Sequence, residues 1–185
     1  LKRKASVAMV DVCAIDLARF KEKLPAGTVA VVRTYQVDVR DSRQVVDCVR
    51  SALDAFNGID YLVNCAGISS SHLIVDIPED ERDKVFAINI EGVFLFSREV
   101  AKEMIQRKTE KKRQRSLPGL PSPWPAAQIA TVTFEEYRQK IFIGLTPLGR
   151  MAKPEDVARA VAFLALDGAE FITGTTLNVS GGGMH

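Results

Sequence analysis

Long apolar runs are missing from this chain. The longest wholly apolar stretch is Ala160–Leu166, far too short to cross a bilayer as a helix, so no membrane partner is expected. Cysteine is scarce. Cys13, Cys48 and Cys65 are odd in number and widely spaced, without a CxxC pair, which argues against a disulfide framework and for reduced thiols in a cytoplasmic setting. The two histidines, His72 and His185, have no cysteine or carboxylate cluster at ligand spacing, so no metal site is expected. Charge of one sign is lacking too: 25 basic against 23 acidic residues give +2, too near neutral to point the whole chain at nucleic acid. Lys2, Arg3 and Lys4 make a basic start, but Asp11 and Asp16 interrupt what would be a signal-peptide core, and secretion is not expected. None of the twelve glycines opens a GxGxxG or GxxxG turn. The phosphate cradle that such a turn builds at a helix N-terminus is therefore not written here.

What is present is an alternation of short apolar runs and amphipathic stretches in 185 residues, enough for one domain with a core. Ala5–Asp11 is a strand ending in a carboxylate, Ile15–Leu24 a short helix broken by Pro25 and Gly27, and Thr28–Val37 a second, β-branched strand. Ser42–Asn57 is the cleanest helix. Asp41 or Ser42 can cap it, Val45, Val46, Val49, Ala52, Leu53 and Phe56 form one apolar stripe, and Gly58 offers a left-handed stop. The stretch DYLVNCAG at 60–67 reads as a buried strand ending in a tight turn. Pro78 opens a helical region that Val85–Gln106 continues with apolar residues nearly all round, the composition of a helix buried on more than one side. Then the character changes. Arg107–Arg115 holds six basic residues against one acid, and Ser116–Pro125 has four prolines in ten positions. A solvated helix end, aberrant sequence and a nucleic-acid patch compete for the first, the last least favoured; an extended linker is expected of the second. Order resumes with a short helix around Phe134, Tyr137 and Ile141, a helix at Pro154–Leu166 with Pro at its first position, and a last strand at Thr175–Val179. The expected organisation is residues 1–106 and 133–185 as two parts of one α/β domain, with 107–132 as a basic and Pro-rich linker. Leu1, not Met, stands first, so a processed chain or a piece of something longer is expected.

Six of these segments, in order, resemble the short-chain dehydrogenase/reductases: VAMVDV at 7–12, VDVRD at 37–41, LVNCAG at 62–67, AINIEGVFL at 87–95, PLGRMAKPEDVARAVAFLA at 147–165 and ITGTTLNVSGG at 172–182. The resemblance implies a Rossmann-like, doubly wound parallel sheet and hydride transfer between NAD(P) and an alcohol or ketone. It implies that Asp11 takes the adenosine ribose hydroxyls and, by repelling a 2′-phosphate, favours NAD over NADP. It places Asp38 and Val39 against adenine, and Asn64, Ala66 and Gly67 where backbone approaches the cofactor, with Cys65 replacing an Asn of the family's turn. Asn89 matches the residue that holds a water in the family's proton relay. A small alcohol or ketone substrate and a homo-oligomer are likewise implied.

The family's glycine-rich turn, its catalytic Ser and its Tyr-x-x-x-Lys pair have no match. Four positions beyond Tyr35, Tyr61 and Tyr137 stand Val39, Cys65 and Ile141; Tyr137 has Lys140 three residues on, but just before PLGR, where the family carries a substrate-loop helix. Asn89 is thus the one catalytic residue retained. Strands 1, 5 and 6 of the family's 3-2-1-4-5-6-7 order are expected to be absent, leaving open edges. The expectation is a truncated or internally deleted member, with cofactor binding weakened or lost and no hydride transfer. The alternative is a non-catalytic relative serving as a binding or assembly module through Val85–Gln106 and Ile172–Gly182.

Overall fold

The computed structural model describes residues 5–24, 31–70, 72–114, 126–128 and 146–182. The first half follows the sequence pattern closely. Strand β1 (Val7–Asp11) leads to helix α1 (Ala14–Glu22), strand β2 (Val32–Gln36) and helix α2 (Ser42–Phe56). β1 and β2 pair in parallel, with Val7 opposite Val32 and Asp11 opposite Gln36. Asp11 and Asp38 therefore lie at the carboxyl ends of neighbouring strands. That is the edge at which open α/β sheets bind ligands.

α2 forms because its ends and its stripe agree. Asp41, the residue before it, accepts hydrogen bonds from the backbone N–H groups of Arg43 (2.9 Å) and Gln44 (3.2 Å), satisfying two donors that the first turn leaves orphaned. At the other end Asn57 takes the left-handed conformation with φ 56°, so the stop falls on an asparagine, one position before the glycine expected to supply it. The guanidinium of Arg107 lies where a Cβ on Gly58 would be, and it pairs with Asp60 at 3.5 Å. Between those ends Val45, Cys48, Val49 and Ala52 are buried, the spacing of one helical face. Val45, Cys48 and Val49 meet Val37, Leu95, Phe96 and Val100 in the main core.

Strand β3 (Leu62–Asn64) is followed by helix α3 (Glu79–Phe86), a π-helical turn at Ala87–Gly92, and helix α4 (Val93–Gln114). The sequence pattern over 85–106 gave no sign of the π turn, and the helix passes into the basic run as far as Gln114. Residues 126–128, at the far end of the stretch expected as a linker, are extended. Strand β4 (Ala126–Gln128) pairs in parallel with β3, Leu62 opposite Ala126, so one edge of β3 is closed. Helix α5 (Pro154–Leu164) follows as expected. Thr175–Val179, expected as a strand, is irregular. Among the described strands none pairs with it, and β-propensity alone makes no strand. The described strands form two separate two-stranded parallel sheets, β1–β2 and β3–β4. The short helix expected around Phe134–Ile141, the Tyr137–Lys140 spacing and Ser116–Pro125 lie outside the described residues.

Four carboxylates are held below their ordinary range by donors aimed at them: Asp38 by Arg40, Asp41 by the N–H groups of Gln44 and Arg43, Glu99 by Lys102 and Arg98, and Asp156 by Arg150. In each the folded value is the lower one. The stabilisation is therefore complete above the unfolded value, near ~4, and is lost as pH falls through the folded value. The chain is expected to lose stability below about pH 4. Arg150→Ala, which removes the fork on Asp156 (2.6 and 3.1 Å), is expected to flatten part of that decline. Urea midpoints followed from neutral into acidic pH check both.

Candidate cofactor site

The site residues on the strands lie at or just beyond the carboxyl ends of β1, β2 and β3. Asp11 closes β1. Its Oδ1 accepts from the backbone N–H of Cys13 (2.8 Å) and its carbonyl accepts from Val37 N–H (3.0 Å), so the turn out of β1 fixes the carboxylate while leaving the residue exposed. Gln36 braces the same turn by donating to the Val12 carbonyl (3.2 Å).

Asp38 begins the loop after β2. Arg40 grips its carboxylate with a guanidinium fork, Nε to Oδ1 at 2.9 Å and a terminal nitrogen to Oδ2 at 2.5 Å, and adds its own backbone N–H at 3.0 Å. Asp38 N–H donates to Gln44 Oε1 (3.0 Å), and Gln44 Nε2 donates in turn to Asp41 Oδ2 (3.0 Å). The loop is thus tied to the α2 cap. A depression of about 550 Å³ opens here, lined by Asp38, Arg40, Asp41, Ser42 and Arg43. Val39 is half-buried and packs against the core. Sequence reasoning singled out Asp38 but missed Arg40; the short Asp-x-Arg spacing was the available signal.

Asn64 ends β3 and donates from Nδ2 to Ser97 Oγ on α4 (3.2 Å), anchoring strand to helix. Ala66 and Gly67 follow in the irregular stretch after β3, Ala66 exposed and Gly67 half-buried, and the thiol of Cys65 is pushed up by partial desolvation. Asn89 lies in the π turn. Its Oδ1 accepts from Ile68 N–H (2.9 Å) while its Nδ2 donates to the Ile68 carbonyl (2.8 Å). One side-chain amide thereby satisfies both backbone groups of a loop residue that has no ladder partner. Such π turns recur at functional sites. His72 lies nearby, its Nδ1 2.9 Å from Glu81 and 3.3 Å from Ser70 Oγ. Serine and carboxylate meet the same ring nitrogen, so this is no relay. Among the described residues no cluster of three or more histidines, cysteines and acids could hold a metal, and no helix is long and apolar enough to cross a membrane.

Parallel strands with carboxylates at adjoining carboxyl ends, alternating with helices, place the chain among the open α/β proteins that bind ligands at that edge. Comparison makes this specific. The family pattern described as short chain dehydrogenase matches residues 1–111, and that described as Enoyl-(Acyl carrier protein) reductase matches residues 121–185; the chain belongs to the short-chain dehydrogenase/reductase family, whose members bind NAD(P). The second match begins inside the stretch set aside as a linker and includes β4. The chain is 26% identical to the 3-oxoacyl-[acyl-carrier-protein] reductase of Thermotoga maritima over 205 residues, covering 90% of this chain and 81% of that one. It is 30% identical to the corresponding Synechocystis enzyme over 183 residues, covering 80% and 74%. Among solved structures, 3-ketoacyl-(acyl-carrier-protein) reductase from Brucella melitensis, complexed with NADH, superposes with TM-score 0.79 at 24% identity, over 96% of this chain and 87% of that one.

Proposed function

We propose that this chain carries the adenosine half of a short-chain dehydrogenase cofactor site, prefers NAD to NADP, and does not itself complete hydride transfer. The observation that carries the reading is the side-by-side ending of β1 and β2, with Asp11 and Asp38 one strand apart. Asp11 faces the ribose hydroxyls, Asp38 and Val39 the adenine, and Asn64, Ala66 and Gly67 line the approach of the nicotinamide half. Asn89 is the retained relay residue. Substrates, where the chain meets them, are small ketones, with 3-oxoacyl thioesters the class to try first because relatives are named for it. The cytoplasm is the compartment this reading assigns.

Cofactor choice tests it. Among the described residues no basic side chain hydrogen-bonds to Asp11, so a 2′-phosphate would meet a carboxylate that none of them screens. NADH is expected to bind about tenfold tighter than NADPH, the size of one like-charge contact near the surface. Asp11→Asn is expected to remove most of that difference. Titration calorimetry with both cofactors and with 5′-AMP measures it; no binding of 5′-AMP would overturn the reading.

A second reading, a non-catalytic assembly module, rests on a separate observation. Phe86, Ile90 and Phe94 recur every fourth residue along the α3–α4 rod and are 57%, 59% and 56% exposed, an apolar stripe that the Arg98 guanidinium touches at Phe94. A discrete homo-oligomer in solution supports this reading, and a monomer opposes it.

A further inference from the structure

The adenosine-facing loop and the loop after β3 are not neighbours in sequence, yet both rest on the same six-residue π turn. Gly92 closes that turn and is buried. Val39 sits directly on its bare backbone: a methyl group at the Gly92 Cα would lie 2.6 Å from Val39 Cγ2 and 2.9 Å from Val39 Cβ. No ordinary contact is that short, so only glycine allows the loop to seat where it does. Three residues earlier in the turn, Asn89 holds Ile68 by both of its backbone groups. The Asp38–Val39 loop is itself stiffened by the Arg40 fork and by Gln44. The π turn is therefore gripped from both sides, by packing at Gly92 and by hydrogen bonds at Asn89.

We propose that Gly92 is a positioning residue: it seats Val39, and through the π turn it links the adenine-facing loop to the loop that Asn89 holds, so that adenine docking and the order of the post-β3 loop are one event. This rests on the adenosine site proposed above. A nucleotide that presses on Val39 stabilises the turn, and a turn held by Asn89 keeps Val39 in place. The two grips have discrete geometry, so disturbing one is read at the other.

A double-mutant cycle on the full chain tests it. Gly92→Ala puts a methyl into Val39, Val39→Gly removes both the Cγ methyls and the Cβ that obstruct it, and the double variant restores room. Two readouts are taken: 5′-AMP affinity by calorimetry, and amide hydrogen exchange at Ile68, whose N–H donates to Asn89. The expected results are about tenfold weaker 5′-AMP binding and about tenfold faster Ile68 exchange in Gly92→Ala, with both recovered to near the Val39→Gly level in the double variant. The exchange at Ile68 is compared with that of Val49 in the core of α2; a merely structural role for Gly92 would accelerate both alike. If Gly92→Ala does not fold, comparison of Val39→Gly with the double variant still carries the test, since the expectation is equality. Wild-type binding of 5′-AMP with unchanged affinity and Ile68 exchange in Gly92→Ala overturns the inference. Absence of 5′-AMP binding by the wild type overturns the adenosine site, and the coupling is then decided by Ile68 exchange alone.

Discussion

Phe96→Ala is expected to lower the unfolding free energy by about 3 kcal/mol, a change of about 100-fold or more in the folding equilibrium. Phe96 is only 8% exposed and belongs to the cluster of Val37, Val45, Cys48, Val49, Leu95 and Val100. That cluster is where α2 and α4 lie against β2. Truncating the ring removes its transfer free energy and leaves a cavity among valines too short to refill it. The neighbour two residues back supplies the control. Phe94 is 56% exposed, and its one described partner is the guanidinium of Arg98, 5.2 Å from the ring centre. Phe94→Ala is expected to change stability by less than ~1 kcal/mol. Urea unfolding followed by circular dichroism compares the two. Equal midpoints would mean that the α2–α4 contact is not the principal core. The difference matters here because the buried set is small: no polar side chain is buried, and Val45 is the one fully buried large side chain among the described residues. Ordinary stabilities are about 5–15 kcal/mol, so a ~3 kcal/mol loss takes a large share of whatever margin this core provides.

What the sequence disclosed was governed by distance along the chain. α2 was legible nearly to the residue because its cap, its stripe and its stop are all local. β1 and β2 were legible because β-branched runs flank polar ends. β4 was not, since Ala-Ala-Gln carries no strand signal and becomes a strand only by pairing with β3, more than sixty positions away. Thr175–Val179 is the converse case, with strand composition but no pairing to any described strand. The same divide runs through the site. Asp11, Asp38, Asn64 and Asn89 could be named from segments that resemble a family. The Arg40 fork, the Asn64–Ser97 bond and the grip of Asn89 on Ile68 could not, because each is a side-chain geometry that composition leaves open. Gly92 gave a partial signal: a glycine inside an apolar helical pattern usually marks a close approach.

Hydride transfer should be absent at any rate a complete family member would recognise. Reducing a ketone places negative charge on its oxygen, and a positioned acid that supplies the proton contributes about 10²–10⁴-fold. Preorganised donors at that oxygen contribute about 10²–10³-fold more. Neither described tyrosine can serve. Tyr35 lies in β2, and desolvation pushes its phenol up, the wrong direction for a group that must exchange a proton near neutral pH. It is followed at the third and fourth positions by Asp38 and Val39. Tyr61 is exposed just before β3, with Asn64 and Cys65 at those positions. A lysine three or four residues on would be needed to share a helix face and draw the phenol down. Asn89 cannot substitute: its side-chain amide is spent on Ile68, and an amide has no proton to give at neutral pH. Turnover with ketones and NADH or NADPH, followed by loss of the reduced-nicotinamide absorbance, is therefore expected to fall at least about 10⁴-fold below a family member bearing the full set. Tyr137→Phe is the deciding control. Turnover in the wild-type chain that this substitution abolishes would make the Tyr137–Lys140 pair the acid and its partner, and the chain an enzyme with an unfamiliar spacing. Turnover that survives it would require a donor other than any tyrosine–lysine pair in the chain.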